Sequence, residues 1–236
     1  MKNASTTRRD EIAAGLARVE RRIADACAAA GRARDEITLI AVSKTYPASD
    51  VRILSELAVR DVGENKDQEA SAKAGECAGL PVRWHFIGQL QTNKARSVVS
   101  YADMIHSVDR PRLAEALDRA AVAAGRRVAC LVQVALDDEP GRGGVPPDQV
   151  PALADVIAAA GGLTLGGVMA VAPLGADPAP AFARLREVSA ALREKHPAAG
   201  VISAGMSGDL AEAVAHGATH VRVGTALLGR RTPFVR

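Results

Sequence analysis

The stretch ITLIAVSKTYPASD, residues 37–50, decides the fold because an apolar run stops at a lysine and a turn follows at once. A short run of branched apolar residues is typical of a strand that is buried on both faces. Such strands belong to parallel sheets, in which crossover helices join the neighbours because no tight turn can connect them. The rest of the chain repeats this unit.

Short branched runs occur at residues 38–43, 60–63, 82–87, 104–108, 128–136, 163–168, 201–203 and 219–223. Between them, as at 111–124 and 179–195, apolar residues recur every three or four positions, which predicts crossover helices. The same spacing at residues 8–30 predicts an amphipathic helix before the first strand. Eight units predict an α/β fold, a TIM (β/α)8 barrel with an extra N-terminal helix, in a single domain over residues 1–236. An open doubly wound sheet is the alternative.

Residues 141–151, GRGGVPPDQVP, are rich in glycine and proline. We expect them to form a long loop after the fifth strand, since connecting segments of this kind run over the surface of a barrel and often carry function there. A linker between two domains is the alternative interpretation.

The composition argues against several classes of protein. Apolar residues make up 48% and charged residues 24% of the chain, the balance of a globular protein with a sizeable core. The net charge is only +3 and basic residues form no runs, so we expect no nucleic acid and no membrane as partner. Cys27, Cys77 and Cys130 form no CxxC pair, which argues against a disulfide framework or a zinc site and fits a reducing cytoplasm. No apolar run has the length of a membrane span or the form of a signal peptide, so we expect no export.

Lys44 is the first candidate for chemistry, because the functional face of such a barrel lies at the carboxyl ends of its strands. Partial burial at the end of a strand would lower the pKa of Lys44 and free its amine to attack a carbonyl. Arg222, on the strand that closes the barrel beside the first, would lower that pKa further. Schiff-base chemistry is one interpretation of Lys44, and a lysine that extends to solvent is the other.

Small residues after the last two strands predict an anion site. Ser207 in SAGMSGD (203–209) is placed to cap a helix over residues 209–216, whose amino end would offer free N–H donors. Gly224 and Thr225 supply a second small loop beside it. Barrels often hold a phosphate between these two loops, although the glycines alone agree equally well with ordinary turns.

Three other polar residues are open to more than one interpretation. Glu64 could act as an acid or base, or it could pair with a nearby cation. His216 and His220 have the spacing of metal ligands, but a helix-to-strand change between them favours a structural role. The chain has neither a GxxxxGK[ST] nor a GxGxxG motif, so a nucleotide-binding turn is unsupported.

Taken together, the motifs at the strand ends resemble those of the pyridoxal phosphate homeostasis protein family (YggS/PROSC type). The resemblance extends from about residue 10 to 230 and rests mainly on WHFIGQLQTNK and on the pair GMS and VRVGT. The motifs in order are LIAVSKTYP (39–47), VGENKDQEA (62–70), WHFIGQLQTNK (84–94), HSVDR (106–110), GVMAVAP (167–173) and SAGMSGDLAEAVAHGATHVRVGTALLG (203–229).

The resemblance implies a fold-type III barrel, similar to the N-terminal domain of alanine racemase, that holds pyridoxal 5'-phosphate (PLP) as a Schiff base. Lys44 matches the lysine that binds PLP, and Arg222 matches the arginine that faces the pyridine nitrogen. The remaining cofactor-binding positions are the phosphate contacts Ser207, Gly224 and Thr225 and the lining residues Asn65 and His85. An arginine cannot accept a proton, so it disfavours a protonated ring nitrogen and weakens the ring as an electron sink.

The resemblance further implies a non-catalytic protein that holds and delivers PLP, maintains vitamin B6 homeostasis and influences amino-acid and keto-acid metabolism. We expect a cytoplasmic monomer whose partners are PLP and PLP-dependent apoenzymes. A PLP-dependent amino-acid racemase or related enzyme is the alternative function. A Schiff-base aldolase without a cofactor is a third interpretation.

Overall fold

Eight parallel strands close into a barrel in the computed structural model, which describes residues 7–137 and 143–229. The strands are β1 (Thr38–Val42), β2 (Asp61–Glu64), β3 (Arg83–Phe86), β4 (Met104–Val108), β5 (Val128–Gln133), β6 (Leu163–Met169), β7 (Val201–Ser203) and β8 (His220–Val223). The helices are α1 (Arg8–Ala29), α2 (Ala48–Glu56), α3 (Asp67–Glu76), α4 (Ala95–Tyr101), α5 (Pro111–Ala123), α6 (Val150–Ala159), α7 (Ala179–Lys195), α8 (Leu210–Ala215) and α9 (Thr225–Leu228).

The sheet closes because β1 pairs in parallel with both β2 and β8. Ile40 of β1 lies opposite Asp61 of β2 on one side and opposite Arg222 of β8 on the other. Each strand therefore has a partner on both edges. The predicted barrel is confirmed, and the open doubly wound sheet is wrong.

Alternation along each strand directs successive side chains to the inside and the outside of the barrel. On β1, Leu39 and Ala41 pack in an apolar cluster with residues of helix α1, outside the barrel. Ile40 and Val42 therefore face the interior. Lys44 lies two residues further along the chain, so this alternation brings it to the mouth of the barrel at the carboxyl end.

Helix α1 covers the outer face of the seam at which β8 meets β1. Its residues Ile12 and Val19 share an apolar cluster with Leu39 of β1 and with residues of β8. The helix packs so closely against α9 that a Cβ at Gly15 would lie 2.0 Å from the carbonyl oxygen of Leu227. Since α9 has only four residues, α1 occupies the position that a longer eighth crossover helix would fill. The extra N-terminal helix is confirmed.

Strand β5 is shorter than the sequence predicted. It ends at Gln133, not at residue 136, because its neighbour β6 ends at the paired residue Met169. Beyond that point Val134 forms a single bridge with Val145. Residues 143–149 lie between β5 and α6 and end in a 3-10 turn at Pro147–Gln149, so the loop prediction is confirmed for them. Val150 and Pro151 already belong to α6, and residues 141 and 142 lie outside the described residues. Among the helices described, none is long and apolar enough to cross a membrane.

Candidate functional site

Five of the predicted cofactor-binding residues follow the carboxyl ends of neighbouring strands. Lys44 follows β1, Asn65 follows β2, Ser207 lies between β7 and α8, and Gly224 and Thr225 follow β8. Because β7, β8, β1 and β2 are consecutive around the barrel, the loops after them form one continuous arc. We call this arc the rim.

Lys44 is exposed, so the burial on which its predicted activation depended is not found. Arg222 lies opposite Ile40, four residues before Lys44 in the register of β1. At about 3.3 Å per residue, this places the backbone of Arg222 roughly 13 Å deeper along the strand. The prediction of a partly desolvated lysine is therefore wrong. Lys44 instead presents its amine to solvent at the mouth of the barrel.

Glu64, at the end of β2, is buried and bonded. Its Oε1 accepts hydrogen bonds from Lys73 Nζ and from the Ser43 hydroxyl, both at 2.5 Å. Burial raises the pKa of Glu64, although these two hydrogen bonds act in the opposite direction. Of the two interpretations of Glu64, pairing with a nearby cation is the one that this geometry supports.

A chain of hydrogen bonds crosses the interior of the barrel from β8 to β2. Arg222 is only 5% exposed, and its Nη1 donates to Ser203 Oγ at 2.6 Å. Ser203 Oγ lies 2.9 Å from His106 Nδ1, and His106 Nε2 lies 2.9 Å from His85 Nδ1. His85 Nε2 lies 2.8 Å from Asp61 Oδ1, which ends the chain. The predicted residues His85 and Arg222 are thus connected inside the barrel, below the rim.

The direction of these hydrogen bonds is fixed at both ends, because an arginine only donates and a carboxylate only accepts. With both imidazoles neutral, one arrangement satisfies every bond: Ser203 donates to His106, His106 to His85, and His85 to Asp61. Burial holds the pKa of His106 well below its usual value, in agreement with a neutral ring. Burial also lowers the pKa of Arg222 to about 10, so its guanidinium group remains charged at neutral pH.

Ser207 does not cap helix α8, contrary to the prediction. The N-cap position is Asp209, and its Oδ1 accepts a hydrogen bond from the Met206 N–H at 2.6 Å. A turn therefore separates Ser207 from the helix, and the partly exposed Ser207 lies on the rim. Arg22 of α1 donates to the Ser207 carbonyl oxygen at 2.6 Å and ties this loop to the outer helix.

The two histidines with metal-ligand spacing belong to different elements. His216 follows α8 and bonds to the Glu212 carbonyl oxygen at 2.8 Å, whereas His220 lies in β8. In residues 7–137 and 143–229, no three His, Cys, Asp or Glu side chains are grouped so as to hold a metal ion. Because His216 and His220 lie in different elements, their positions agree with the structural role that the sequence favoured over metal binding.

Sequence reasoning did not single out Asp61, Glu69, Lys73 or Ser203. One signal was present for Glu69 and Lys73, which stand four residues apart and therefore share a face of α3. Asp61 and Ser203 belong to a network that joins β2, β3, β4, β7 and β8. Contacts between residues so distant in the chain are visible only once the barrel has closed.

The closed barrel and its rim define the class of the protein, a barrel of the alanine racemase N-terminal type. The family model described as "Alanine racemase, N-terminal domain" matches residues 16–232. The crystal structure of an unknown protein from Bifidobacterium adolescentis is similar, with a TM-score of 0.87 and 32% identity. That similarity covers 96% of this chain and 98% of the other.

Proteins named pyridoxal phosphate homeostasis protein are similar over nearly the whole chain. The one from Mycobacterium tuberculosis strain H37Rv is 45% identical over 243 residues, covering 95% of this chain and 94% of its own. The structure of PipY from Synechococcus elongatus PCC7942 with PLP bound has a TM-score of 0.78 and 39% identity, and the match covers 88% of this chain and 100% of PipY. The chain therefore belongs to the pyridoxal phosphate homeostasis protein family.

Proposed function

We propose that this chain binds PLP at the rim of its barrel, holds it as a Schiff base and delivers it, and so serves vitamin B6 homeostasis. One observation carries the proposal: an exposed amine, Lys44, stands at the mouth of a barrel whose interior holds the charged Arg222. The family membership and the PLP bound to PipY support the choice of cofactor.

Lys44 supplies the amine of the proposed Schiff base. When bound, PLP provides an aldehyde that condenses with a primary amine. In the part of the chain described, Lys44 Nζ makes no hydrogen bond or ion pair, whereas Lys73 Nζ is bonded to three oxygens, one of them the carbonyl oxygen of the neighbouring Ser43. Lys44 is therefore free to react and Lys73 is not, while Lys66, which is exposed on the next loop of the rim, is the lysine against which Lys44 has to be tested.

Ser207, Gly224 and Thr225 form the proposed phosphate subsite. A phosphate dianion is bound by hydroxyl groups and backbone N–H donors, and these small loops offer both. A Cβ at Gly208 would meet no other atom within 4 Å, so the loop leaves room for a ligand. A cavity of about 290 Å³, lined in part by Ala172, Met206 and Gly208, adjoins the same loop.

Arg222 is the proposed partner of the pyridine nitrogen. Its guanidinium group is fixed by Ser203 and by the Ala170 carbonyl oxygen, which accepts from Nη2 at 2.9 Å. A charged arginine at this place disfavours protonation of the ring nitrogen and restrains carbanion chemistry. Asn65 lines the rim in this proposal, and His85 supports Arg222 indirectly, through the hydrogen-bonded chain.

The proposed role is that of a carrier without turnover, acting as a cytoplasmic monomer that supplies PLP-dependent apoenzymes. A racemase needs a second acid or base beside the amine. The hydroxyl of Tyr46 donates to the Gly229 carbonyl oxygen at 2.6 Å, and that of Tyr101 lies 3.4 Å from Asp67. Burial raises the pKa of Tyr101, so its hydroxyl keeps its proton at neutral pH and cannot accept one. Because both tyrosine hydroxyls already have partners within the fold, neither is placed to act as the second acid or base, which favours the carrier over the racemase.

An absorbance spectrum of the purified protein, before and after borohydride reduction, tests the proposal. We expect a visible band that disappears on reduction and a pyridoxyl mass on the peptide containing Lys44. Lys44→Ala should remove the adduct, while Lys66→Ala, an exposed lysine on the next loop, should retain it. A colourless protein that gains no band with added PLP would refute the proposal.

Two further measurements separate the parts of the proposal. Ser207→Ala combined with Thr225→Val should weaken PLP binding about tenfold or more, because charge-assisted hydrogen bonds to the phosphate are lost. Binding of pyridoxal, which lacks the phosphate, should change little. If an enantiopure amino acid loses optical activity in the presence of the loaded protein, the racemase alternative replaces the carrier.

A further inference from the structure

Two charged side chains of α3 bond the peptide units on the two sides of Lys44, and a third, Glu64 of β2, bonds one of these two side chains. We call Glu64, Glu69 and Lys73 the β2–α3 clamp. Lys73 Nζ donates to the Ser43 carbonyl oxygen at 2.7 Å, on the amino-terminal side of Lys44. Glu69 Oε1 accepts a hydrogen bond from the Thr45 N–H, on the carboxyl-terminal side. The clamp therefore grips the backbone around Lys44 without touching its amine.

The clamp is connected as one unit. Lys73 Nζ donates to Glu64 Oε1 at 2.5 Å and to Glu69 Oε1 at 3.2 Å, in addition to Ser43. An ammonium group has three protons, so all of its donors are used. The side chains of Lys73 and Glu64 are 5% and 1% exposed. Movement of one member thus disturbs the others.

Stability alone is a weak explanation of such a buried ionic cluster. Removing charges from water costs several kcal/mol per ion, and apolar residues of similar volume often give equal or greater stability. Glu64 Oε2 is also buried and has no hydrogen-bond partner in the part of the chain described. Because these desolvation costs arise next to the reactive lysine, the cluster is better explained by a role in positioning the backbone of Lys44.

Thr45 shows what the clamp imposes on the backbone. Its φ is +71°, in the left-handed region, which is a rare conformation for a β-branched residue. Such a conformation persists only where surrounding contacts enforce it. Two hydrogen bonds fix this turn around Lys44: the Tyr46 N–H donates to the Ser43 carbonyl oxygen at 3.0 Å, and the Thr45 N–H donates to Glu69 Oε1.

We propose that Glu69 and Lys73, supported by Glu64, are positioning residues that fix the backbone of Lys44 for condensation with an aldehyde. The inference rests on the proposed function of Lys44. In the condensation, the amine nitrogen adds to the aldehyde carbon, a C=N bond replaces the C=O bond, and one water molecule leaves. A fixed backbone limits the positions that the exposed Lys44 amine can occupy. The orientation that reacts with the aldehyde is then a larger fraction of those that remain.

Glu69 offers the sharpest test because its side chain is 28% exposed and alanine is a good helix former, so Glu69→Ala is expected to fold. Glu69→Gln keeps an oxygen that can accept from the Thr45 N–H. Glu36→Ala is the matched control, since Glu36 also accepts a backbone N–H, that of Ala33 at 2.8 Å, before the opposite end of β1.

The first readout uses the protein without cofactor. Hydrogen exchange of the peptide containing Thr45 should become about tenfold faster in Glu69→Ala, because a hydrogen bond to a charged group is lost. The second readout is the rate at which PLP modifies Lys44, trapped with cyanoborohydride and located by mass spectrometry. We expect it to fall about fivefold to twentyfold in Glu69→Ala. Glu69→Gln should stay within about threefold of the wild type, and Glu36→Ala should match it.

The outcomes distinguish this inference from the proposed function. If wild-type Lys44 gives no adduct at all, the proposed function fails and the clamp has no role in it. If Lys44 reacts equally fast in the wild type and in Glu69→Ala, the positioning role of the clamp is contradicted, while the proposed function is unaffected. A slower reaction in both Glu69→Ala and Glu36→Ala, in proportion to a loss of thermal stability, would also contradict the positioning role, because a general loss of stability would then explain the effect.

Discussion

Arg222 is held inside the barrel by the oxygens of a serine and a backbone carbonyl, although it carries a full charge. From Ser203 the hydrogen bonds continue through two histidines to the carboxylate of Asp61. With both imidazoles neutral, all of these bonds point in the same direction, so each bond polarises the next and strengthens it. The orientation of Arg222 consequently depends on residues that it does not touch.

Ser203 is the member of this chain whose loss is most informative. Ser203→Ala should lower the free energy of unfolding by about 2–4 kcal/mol, because it leaves a buried guanidinium N–H and a histidine nitrogen without a partner. Ser107→Ala is the control, since the Ser107 hydroxyl is equally buried and has no partner in the described residues. That change should be neutral or stabilising by up to about 1 kcal/mol. Urea denaturation measures both, and equal losses would contradict the network.

At the scale of residues, the sequence could predict positions but not environments. Lys44 and Arg222 were found because the ends of parallel strands meet at one face of a barrel. The predicted burial of Lys44 was wrong, because exposure depends on loops that neighbouring strands contribute. The bonds between Lys73, Ser43 and Glu64 join two strands to a helix, and no local pattern encodes such a contact.

At the scale of elements, the contact between α1 and α9 leaves no room for a side chain at Gly15. Gly15→Ala should lower the free energy of unfolding by about 2–3 kcal/mol, because the new methyl group would overlap the Leu227 carbonyl. Gly75→Ala, in the exposed last turn of α3 with open space around it, should raise it by about 0.5–1 kcal/mol. Thermal unfolding followed by circular dichroism compares the two variants. A neutral Gly15→Ala would show that α1 does not pack as described.

Strands and helices were predictable because their periods are visible in the sequence, and α1 and β4 were found almost to the residue. The predicted ends of strands and helices were wrong where contact with a neighbouring element determines the boundary. Strand β5 ends where β6 ends, and helix α8 begins after Asp209, not after Ser207, although both residue types favour caps. Propensity alone cannot choose between two suitable caps.

At the scale of the whole molecule, buried histidines should make the fold sensitive to acid. Burial lowers the pKa of His220 from 6.5 to about 4. Between pH 6.5 and about pH 4, His220 is therefore protonated in the unfolded chain but not in the folded protein. The free energy of unfolding consequently falls as the pH falls through this range. The loss is on the order of 3 kcal/mol for His220 across that window, at about 1.4 kcal/mol per pH unit. His106 acts in the same direction.

Urea denaturation between pH 7.5 and pH 4.5 checks this expectation. The free energy of unfolding of the wild type should decrease steadily below about pH 6.5, since the unfolded histidine charges there. His220→Asn should show a shallower slope, by about one proton. Parallel slopes for the wild type and His220→Asn would exclude His220 as the cause.

The position of α1 sets the order in which the chain can complete its fold during synthesis. Its apolar face packs partly on β8 and α9, which leave the ribosome only after almost all of the barrel has been made. At ~5–20 residues per second, that interval lasts roughly 10–40 s for a chain of this length. Throughout it, the part of the α1 face that packs on β8 and α9 in the finished fold has no partner. A helix that precedes the barrel in the chain is therefore among the last elements to be completely buried.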